Sequence, residues 1–167
     1  MAGSKPLAQL AARIKARRAR VGVIGLGYVG LPLAVEFAKE GFTVTGIDLD
    51  PARVKGVNAA RSYILDVPSD DLRKLRRARR LSATSSFDVL GKQDAIIICV
   101  PTPLRKTREP DMSFIISATN EIARRVRKGQ LIVLESTTYP GTTDEVVRPA
   151  IEARGLKVTL QKLDPYI

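Results

Sequence analysis

The stretch Arg20-Val-Gly-Val-Ile-Gly-Leu-Gly-Tyr-Val-Gly-Leu-Pro-Leu-Ala-Val-Glu-Phe37 decides how the rest of the chain is read. Val21, Val23 and Ile24 form a short apolar run with the character of a buried strand. Leu31, Leu33, Ala34, Phe37 and Ala38 recur at helical spacing. Between them, Gly25-Leu26-Gly27-Tyr28-Val29-Gly30 satisfies G-x-G-x-x-G, in the setting where that pattern has a physical basis. The first glycine permits a tight turn, the second lets a phosphate approach the backbone, and the third lets the helix pack closely on the strand. The helix start then directs unpaired N–H groups at a diphosphate. Tyr28 and Val29 offer backbone N–H groups whatever their side chains do, and the Tyr28 ring could also cover the turn.

Working outward, strands and helices alternate. The expected elements are strand 20–24, helix 30–40, a strand over "FTVTGID" ending at Asp48, and a helix capped by Asp50 with Pro51 first. A loop over 61–70 leads to a basic helix, capped by Ser69 or Asp70 and running to about Arg79. Then come a short strand at "LSATSS", a helical turn over 86–91 and the continuously apolar strand 94–100, which should be covered on both faces. Helix 113–127, strand 130–136, helix 142–154 and a terminal strand 156–160 complete the series. This alternation implies an α/β fold: a doubly wound, Rossmann-type, mostly parallel sheet. Its ligand would lie outside the carboxyl ends of the strands, at Gly25–Gly30, from Asp48 onward, and near Pro101 and Ser136.

Bulk properties narrow the function. With 167 residues and 44% hydrophobic composition, the chain suits one domain of ordinary size. The expected layout is a basic helical extension over 1–19, a dinucleotide-binding unit over 20–160 and a divergent tail over 161–167. In the extension, Leu7, Leu10, Ala11 and Ile14 share one side. No apolar run is long enough for a membrane span, and the N-terminus lacks a signal-like stretch. The single cysteine, Cys99, lies in an apolar run and reads as core, so a reducing, cytoplasmic setting is expected. The chain has no histidine, which removes a Ser-His-Asp or Cys-His mechanism and a histidine-bound metal.

The net charge of +11 is unevenly placed. Residues 1–20 and 72–80 each carry six basic side chains and no acid. Twelve of the 28 basic residues lie in these runs, so the remaining 16 face 17 acidic residues. Both runs read as solvated faces. Weak, salt-sensitive attraction to a polyanion stays open, but specific nucleic-acid binding is not expected, since no aromatics interleave with the arginines, and without a long apolar run no membrane partner is expected either.

Candidate site residues follow from the strand ends. Asp48 stands 23 positions after Gly25, where a carboxylate can accept both ribose hydroxyls of adenosine and repel a 2′-phosphate, favouring NAD over NADP. Arg53, on the first turn of the next helix, could cover the adenine, reach the diphosphate or simply face solvent. "VPTPLRKTREPD" leaves a strand through two prolines that stiffen the loop around Thr102. In "ESTTYPGTTDE", either Thr137 or Thr138 could hold a water or touch the nicotinamide side.

Taken together, "GLGYVGLP", "GIDLDPARV", "CVPTPL…REPD" and "LESTTYPGTT" resemble the NAD-binding N-terminal domain of the UDP-glucose/GDP-mannose dehydrogenase family over about residues 19–158. Within the family, "PTPL…REPD" and "ESTTYPGTT" resemble the branch acting on UDP-N-acetylglucosamine or UDP-N-acetylmannosamine. The resemblance implies oxidation of a UDP-sugar C6 hydroxyl to a carboxylate with two NAD. It also implies cofactor contacts at Tyr28, Val29, Asp48, Arg53, Thr102 and Thr137. Family members are more than twice this length, with the catalytic cysteine and lysine and a dimerising central helix in the part beyond. No catalytic residue is therefore expected within this chain, apart from an orienting role for Thr137. A homodimer is expected only where the central helix is present. On this reading the chain binds NAD and is catalytically incomplete. Two other readings compete with it: a β-hydroxyacid dehydrogenase, which "PTPL" disfavours, and a non-catalytic dinucleotide- or polyanion-binding module.

Overall fold

The computed structural model describes residues 5–104 and 110–159. Five parallel strands form one sheet: β1 (Arg20–Ile24), β2 (Thr43–Ile47), β3 (Leu81–Thr84), β4 (Ala95–Ile98) and β5 (Leu131–Leu134), in the order β3-β2-β1-β4-β5. The order reverses between β1 and β4, and at such a crossover a doubly wound sheet opens a crevice at its carboxyl edge. The helices are α1 (Lys5–Lys15), α2 (Gly30–Lys39), α3 (Pro51–Asn58), α4 (Ser69–Arg77), α5 (Ser113–Ala123) and α6 (Arg148–Glu152). The doubly wound parallel sheet expected from the sequence is the fold.

Side-chain alternation along each strand feeds two separate cores. Val21, Val23, Val44 and Ile97 face α2 and α4, where they meet Leu31, Ala34 and Leu72. Ile24, Ile47, Ile96 and Ile98 face the other way, against Ala118 and Ile122 of α5. β4 contributes to both, which is why it reads as an unbroken apolar run. Each fully buried Leu or Ile stabilises the fold by about 1.5–3 kcal/mol relative to exposure, so the central strands anchor the crevice rigidly.

Several boundaries differ from the sequence reading, each for a local reason. Ser69 is the first residue of α4 and does not cap it: Pro68 occupies the cap position with extended backbone, and the Ser69 hydroxyl instead accepts the Ser62 N–H. Asp70 pairs with Arg73. The helix expected over 142–154 is divided into a π-type turn, Thr143–Val147, and α6. Pro149 brings no N–H to the ladder, and a wider turn before it accommodates its ring. No strand forms over the described residues 156–159, although their pattern alternates. Past the left-handed Gly155 (φ 77°) this stretch finds no ladder partner, and β5 is the edge of the sheet.

α1 departs from the expected apolar side as well. Leu10 is buried and Ile14 packs against the core, but Leu7 and Ala11 are exposed. The helix crosses the amino-terminal ends of the strands instead of lying along the sheet, so only a narrow stripe is covered. It is fastened by Asp94, 2% exposed, which pairs with Arg13 at 2.8 Å and Arg127 at 2.9 Å and accepts the Arg20 N–H at 2.8 Å. A buried carboxylate needs such partners, and one arginine of the first basic run is thereby structural.

Candidate functional site

The glycine turn is built from three different constraints. Gly25 has φ +91°, and a Cβ there would stand 2.5 Å from the Cys99 carbonyl oxygen, so neither the backbone nor the space admits another residue. A Cβ on Gly30 would lie 1.8 Å from the Gly25 oxygen and 3.1 Å from Cys99 Cβ, so the third glycine lets α2 start directly against the turn and β4. Gly27 is unlike both: a Cβ there would meet only the Arg53 guanidinium, at 3.9 Å. Packing within the chain does not demand glycine at Gly27, whereas close approach of a ligand to that backbone does.

α2 begins at Gly30 with no side chain capping it. Among the described residues, the N–H groups of Tyr28 and Val29 have no hydrogen-bond acceptor, and both side chains are exposed. The start of a ten-residue helix therefore presents free donors and the positive end of its dipole to the crevice.

Asp48 follows the last residue of β2 and is 9% exposed. Its Oδ2 accepts the Leu26 N–H at 2.7 Å and its Oδ1 the Asp50 N–H at 2.9 Å. The Arg53 guanidinium donates to Oδ2 at 3.2 Å and lies 3.6 Å from Asp50. Asp50 caps α3 as expected, accepting the Ala52 N–H at 2.8 Å. The carboxylate thus ties β2 to the glycine turn before any ligand is considered, and Arg53 is held over the crevice by two acids.

Tyr63 completes this arrangement and is absent from the sequence-based candidates. Its hydroxyl donates to the Leu26 carbonyl at 2.8 Å, so both polar groups of Leu26 are claimed, the N–H by Asp48 and the C=O by Tyr63. The Leu26 side chain is fully buried over Gly46, where a Cβ would stand 2.6 Å from it. Burial first, and then the nearby Asp48 charge, push the Tyr63 phenol up to about 12, so it stays a neutral donor. The only sequence signal was an aromatic ring in a polar loop with Gly56 shortly before it. A Cβ on Gly56 would lie 3.1 Å from that ring.

On the far side of the crevice, the Ser136 hydroxyl donates to the Val100 carbonyl at 2.8 Å and ties the end of β5 to the proline loop. Thr138 bonds to Thr142 and to the Tyr139 carbonyl and belongs to the turn. Thr137 is exposed and faces the crevice, which separates the two threonines that spacing left equivalent. Cys99 is 8% exposed, and burial together with Glu135 pushes its thiol up to about 11, so it is an unreactive part of the floor.

These elements surround one cavity of about 480 Å³ at the carboxyl ends of β1, β2, β4 and β5. Of the nine candidate residues, Gly25, Gly27, Tyr28, Val29, Asp48, Arg53, Thr102 and Thr137 line it, and Gly30 supports it from behind. Leu49, Phe87 and Phe114 add apolar wall. Free N–H donors, an uncrowded glycine and a carboxylate at the second strand end suit the diphosphate and adenosine ribose of a dinucleotide.

Residues 19–164 match the UDP-glucose/GDP-mannose dehydrogenase family, NAD binding domain. The chain belongs to that family. It is 39% identical over 133 residues to UDP-N-acetyl-D-glucosamine 6-dehydrogenase of Pseudomonas aeruginosa, covering 80% of this chain and 31% of that protein. It is 34% identical over 139 residues to UDP-N-acetyl-D-mannosamine dehydrogenase of Pyrococcus horikoshii, covering 83% and 33%. Among solved structures, GDP-mannose dehydrogenase of Pseudomonas aeruginosa superposes with a TM-score of 0.78 at 33% identity, over 83% of this chain and 33% of that one. The chain spans about a third of the length of these relatives and carries the family's NAD-binding domain, with NAD as the cofactor. Among the described residues, no helix is long and apolar enough to cross a membrane.

Proposed function

We propose that this chain supplies the NAD-holding part of a nucleotide-sugar 6-dehydrogenase acting on a UDP-N-acetylhexosamine, with residues 20–160 as the cofactor unit. The convergence on one cavity of residues from four separate strand ends, the glycine turn, Asp48 with Arg53, Thr102 and Thr137, carries the reading. Tyr28 and Val29 N–H groups, with the dipole of α2, take the diphosphate, which passes close over Gly27. Asp48 takes the adenosine ribose and disfavours a 2′-phosphate, while Arg53, held by Asp48 and Asp50, lies beside the adenosine or the diphosphate. Thr102 and Thr137 border the nicotinamide end, where Thr137 orients the ring or a water. NAD, when bound, supplies a hydride acceptor, and the walls formed by Phe114 and the proline loop limit water around it.

The sugar preference rests on the two sequence relatives quoted above, a UDP-N-acetyl-D-glucosamine 6-dehydrogenase and a UDP-N-acetyl-D-mannosamine dehydrogenase by their names. Titration calorimetry of the chain with NAD and NADP tests the cofactor assignment: NAD should bind and NADP should bind at least about tenfold more weakly, one charge repulsion being worth above 1.4 kcal/mol in a poorly solvated site. Equal affinity for the two cofactors would remove the ribose role from Asp48.

A further inference from the structure

The two basic runs, some fifty residues apart in sequence, meet at the end of the sheet opposite the crevice. α1 crosses the amino-terminal strand ends: Pro6 lies beside Gly129, Arg13 reaches Asp94 ahead of β4, and Arg17 covers the Phe42 ring at 5.1 Å and pairs with Glu40. α4 ends alongside, at the start of β3. Register places Arg20 opposite Thr43, and the neighbouring Val44 N–H donates to the Arg80 carbonyl at 2.8 Å on the other side. With strands about 4.8 Å apart, Arg20 and Arg80 are roughly 10 Å from each other. Lys15, Arg17, Arg18, Arg20, Arg77, Arg79 and Arg80 therefore share one exposed surface. Among the described residues, Arg17 alone of these has an acidic partner, Glu40.

Helix dipoles account for part of this set, since α1 and α4 both end here and cations are favourable at helix C-termini. Arg76, on the last turn of α4, donates instead to the Leu81 carbonyl at the start of β3. Arg18, Arg20 and Arg80 lie past the helix ends, and among the described residues their side chains have no hydrogen-bond or ion-pair partner. Arg79 has φ 56°, a left-handed position where glycine is least strained, and α2 ends with Gly41 in the same role.

We propose that this face docks on an anionic lipid surface, a partner not expected from the sequence and independent of the proposed activity. α1 favours lipid over nucleic acid. It carries Lys5 and Lys15 together with exposed Leu7, Ala8, Ala11 and Ala12 and has no acid, and exposed Arg18 follows its C-terminal end. A helix lying in the plane of a surface with that mixture suits a headgroup layer. The arginines spread in two dimensions, as lipid phosphates do, and no exposed aromatic is present among them for stacking on bases. The crevice opens at the opposite strand ends, so docking leaves it accessible.

Flotation of the full chain with phosphatidylcholine vesicles, with and without phosphatidylglycerol, tests the proposal. Binding should require phosphatidylglycerol and fade at high salt. Each arginine at a charged surface is worth about fivefold in partitioning, so R18Q/R79G/R80Q should reduce binding by at least about tenfold. Arg79→Gly also relieves a strained position, and circular dichroism with a thermal midpoint verifies that the variant is folded. Leu7→Gln should weaken vesicle binding severalfold and leave binding to duplex DNA unchanged. Equal binding to neutral vesicles, full binding by the triple variant, or tighter binding to duplex DNA than to phosphatidylglycerol vesicles would overturn the assignment.

Discussion

Replacing Asp48 separates its two roles if the right pair of variants is used. The carboxylate accepts the buried Leu26 N–H at 2.7 Å and the Asp50 N–H at 2.9 Å. Hydrogen bonds to a charged acceptor contribute about 1.5–3 kcal/mol each, and a buried donor left unmet costs about 1–3 kcal/mol. Asp48→Ala should therefore destabilise the chain by roughly 3 kcal/mol or more. In a chain of this size that lowers the thermal midpoint by about 6–12 °C. Any loss of NAD affinity in that variant mixes turn collapse with lost ribose contacts. Asp48→Asn keeps an oxygen for Leu26 but its amide nitrogen cannot accept the Asp50 N–H, so its midpoint should fall by about half as much. Its NAD affinity should still drop by about tenfold or more, as the ribose hydroxyls lose a charged acceptor, while its discrimination against NADP narrows. Calorimetry with both cofactors, paired with thermal melts of all three proteins, reads both effects. Unchanged NAD affinity and selectivity in a folded Asp48→Asn variant would refute the ribose role, and Asp48 would stand as a structural clamp alone.

Three further outcomes follow from the same geometry. Gly27→Ala should melt within about a degree or two of the parent, because its Cβ meets only Arg53 at 3.9 Å, and it should lose NAD affinity; Gly25→Ala, at φ +91° and 2.5 Å from a carbonyl, should lose several kcal/mol of stability. Because Tyr63 ionises near 12 in the fold, above its ordinary 10, its stabilising contribution is complete below pH 10 and is lost as pH rises through about 12. Tyr63→Phe should be less stable at neutral pH and show a shallower alkaline loss in melts across that range. Cys99 should resist thiol reagents until denaturant is added, with its pKa near 11, and the 167-residue chain incubated with NAD and UDP-N-acetylglucosamine or UDP-N-acetylmannosamine should form no NADH. Sustained turnover abolished by Cys99→Ala would overturn the assignment of that thiol to the core.

Amino-acid order alone was enough for the alternation of strands and helices, the glycine turn and the acidic residue ending the second strand. Each of these depends on interactions within a few residues: apolar periodicity, the steric demands of Gly25 and Gly30, a cap at Asp50. Local pattern was insufficient where a residue's partner lies far along the chain. Leu7 and Ala11 share a helix side with Leu10, yet only the placement of α1 across the strand ends decided which were covered. Residues 156–159 alternate like a strand, but a strand exists only where a neighbour pairs with it. Thr137 and Thr138 are equivalent by spacing, and the hydroxyl of Thr142 made one of them part of a turn. Tyr63 became a support of the glycine turn because folding brought residues 37 positions apart to 2.8 Å. The basic runs likewise became a single surface only through parallel register, which sets Arg20 and Arg80 on either side of Thr43. Burial and pairing are properties of the assembled sheet, so these assignments could come only from the tertiary structure.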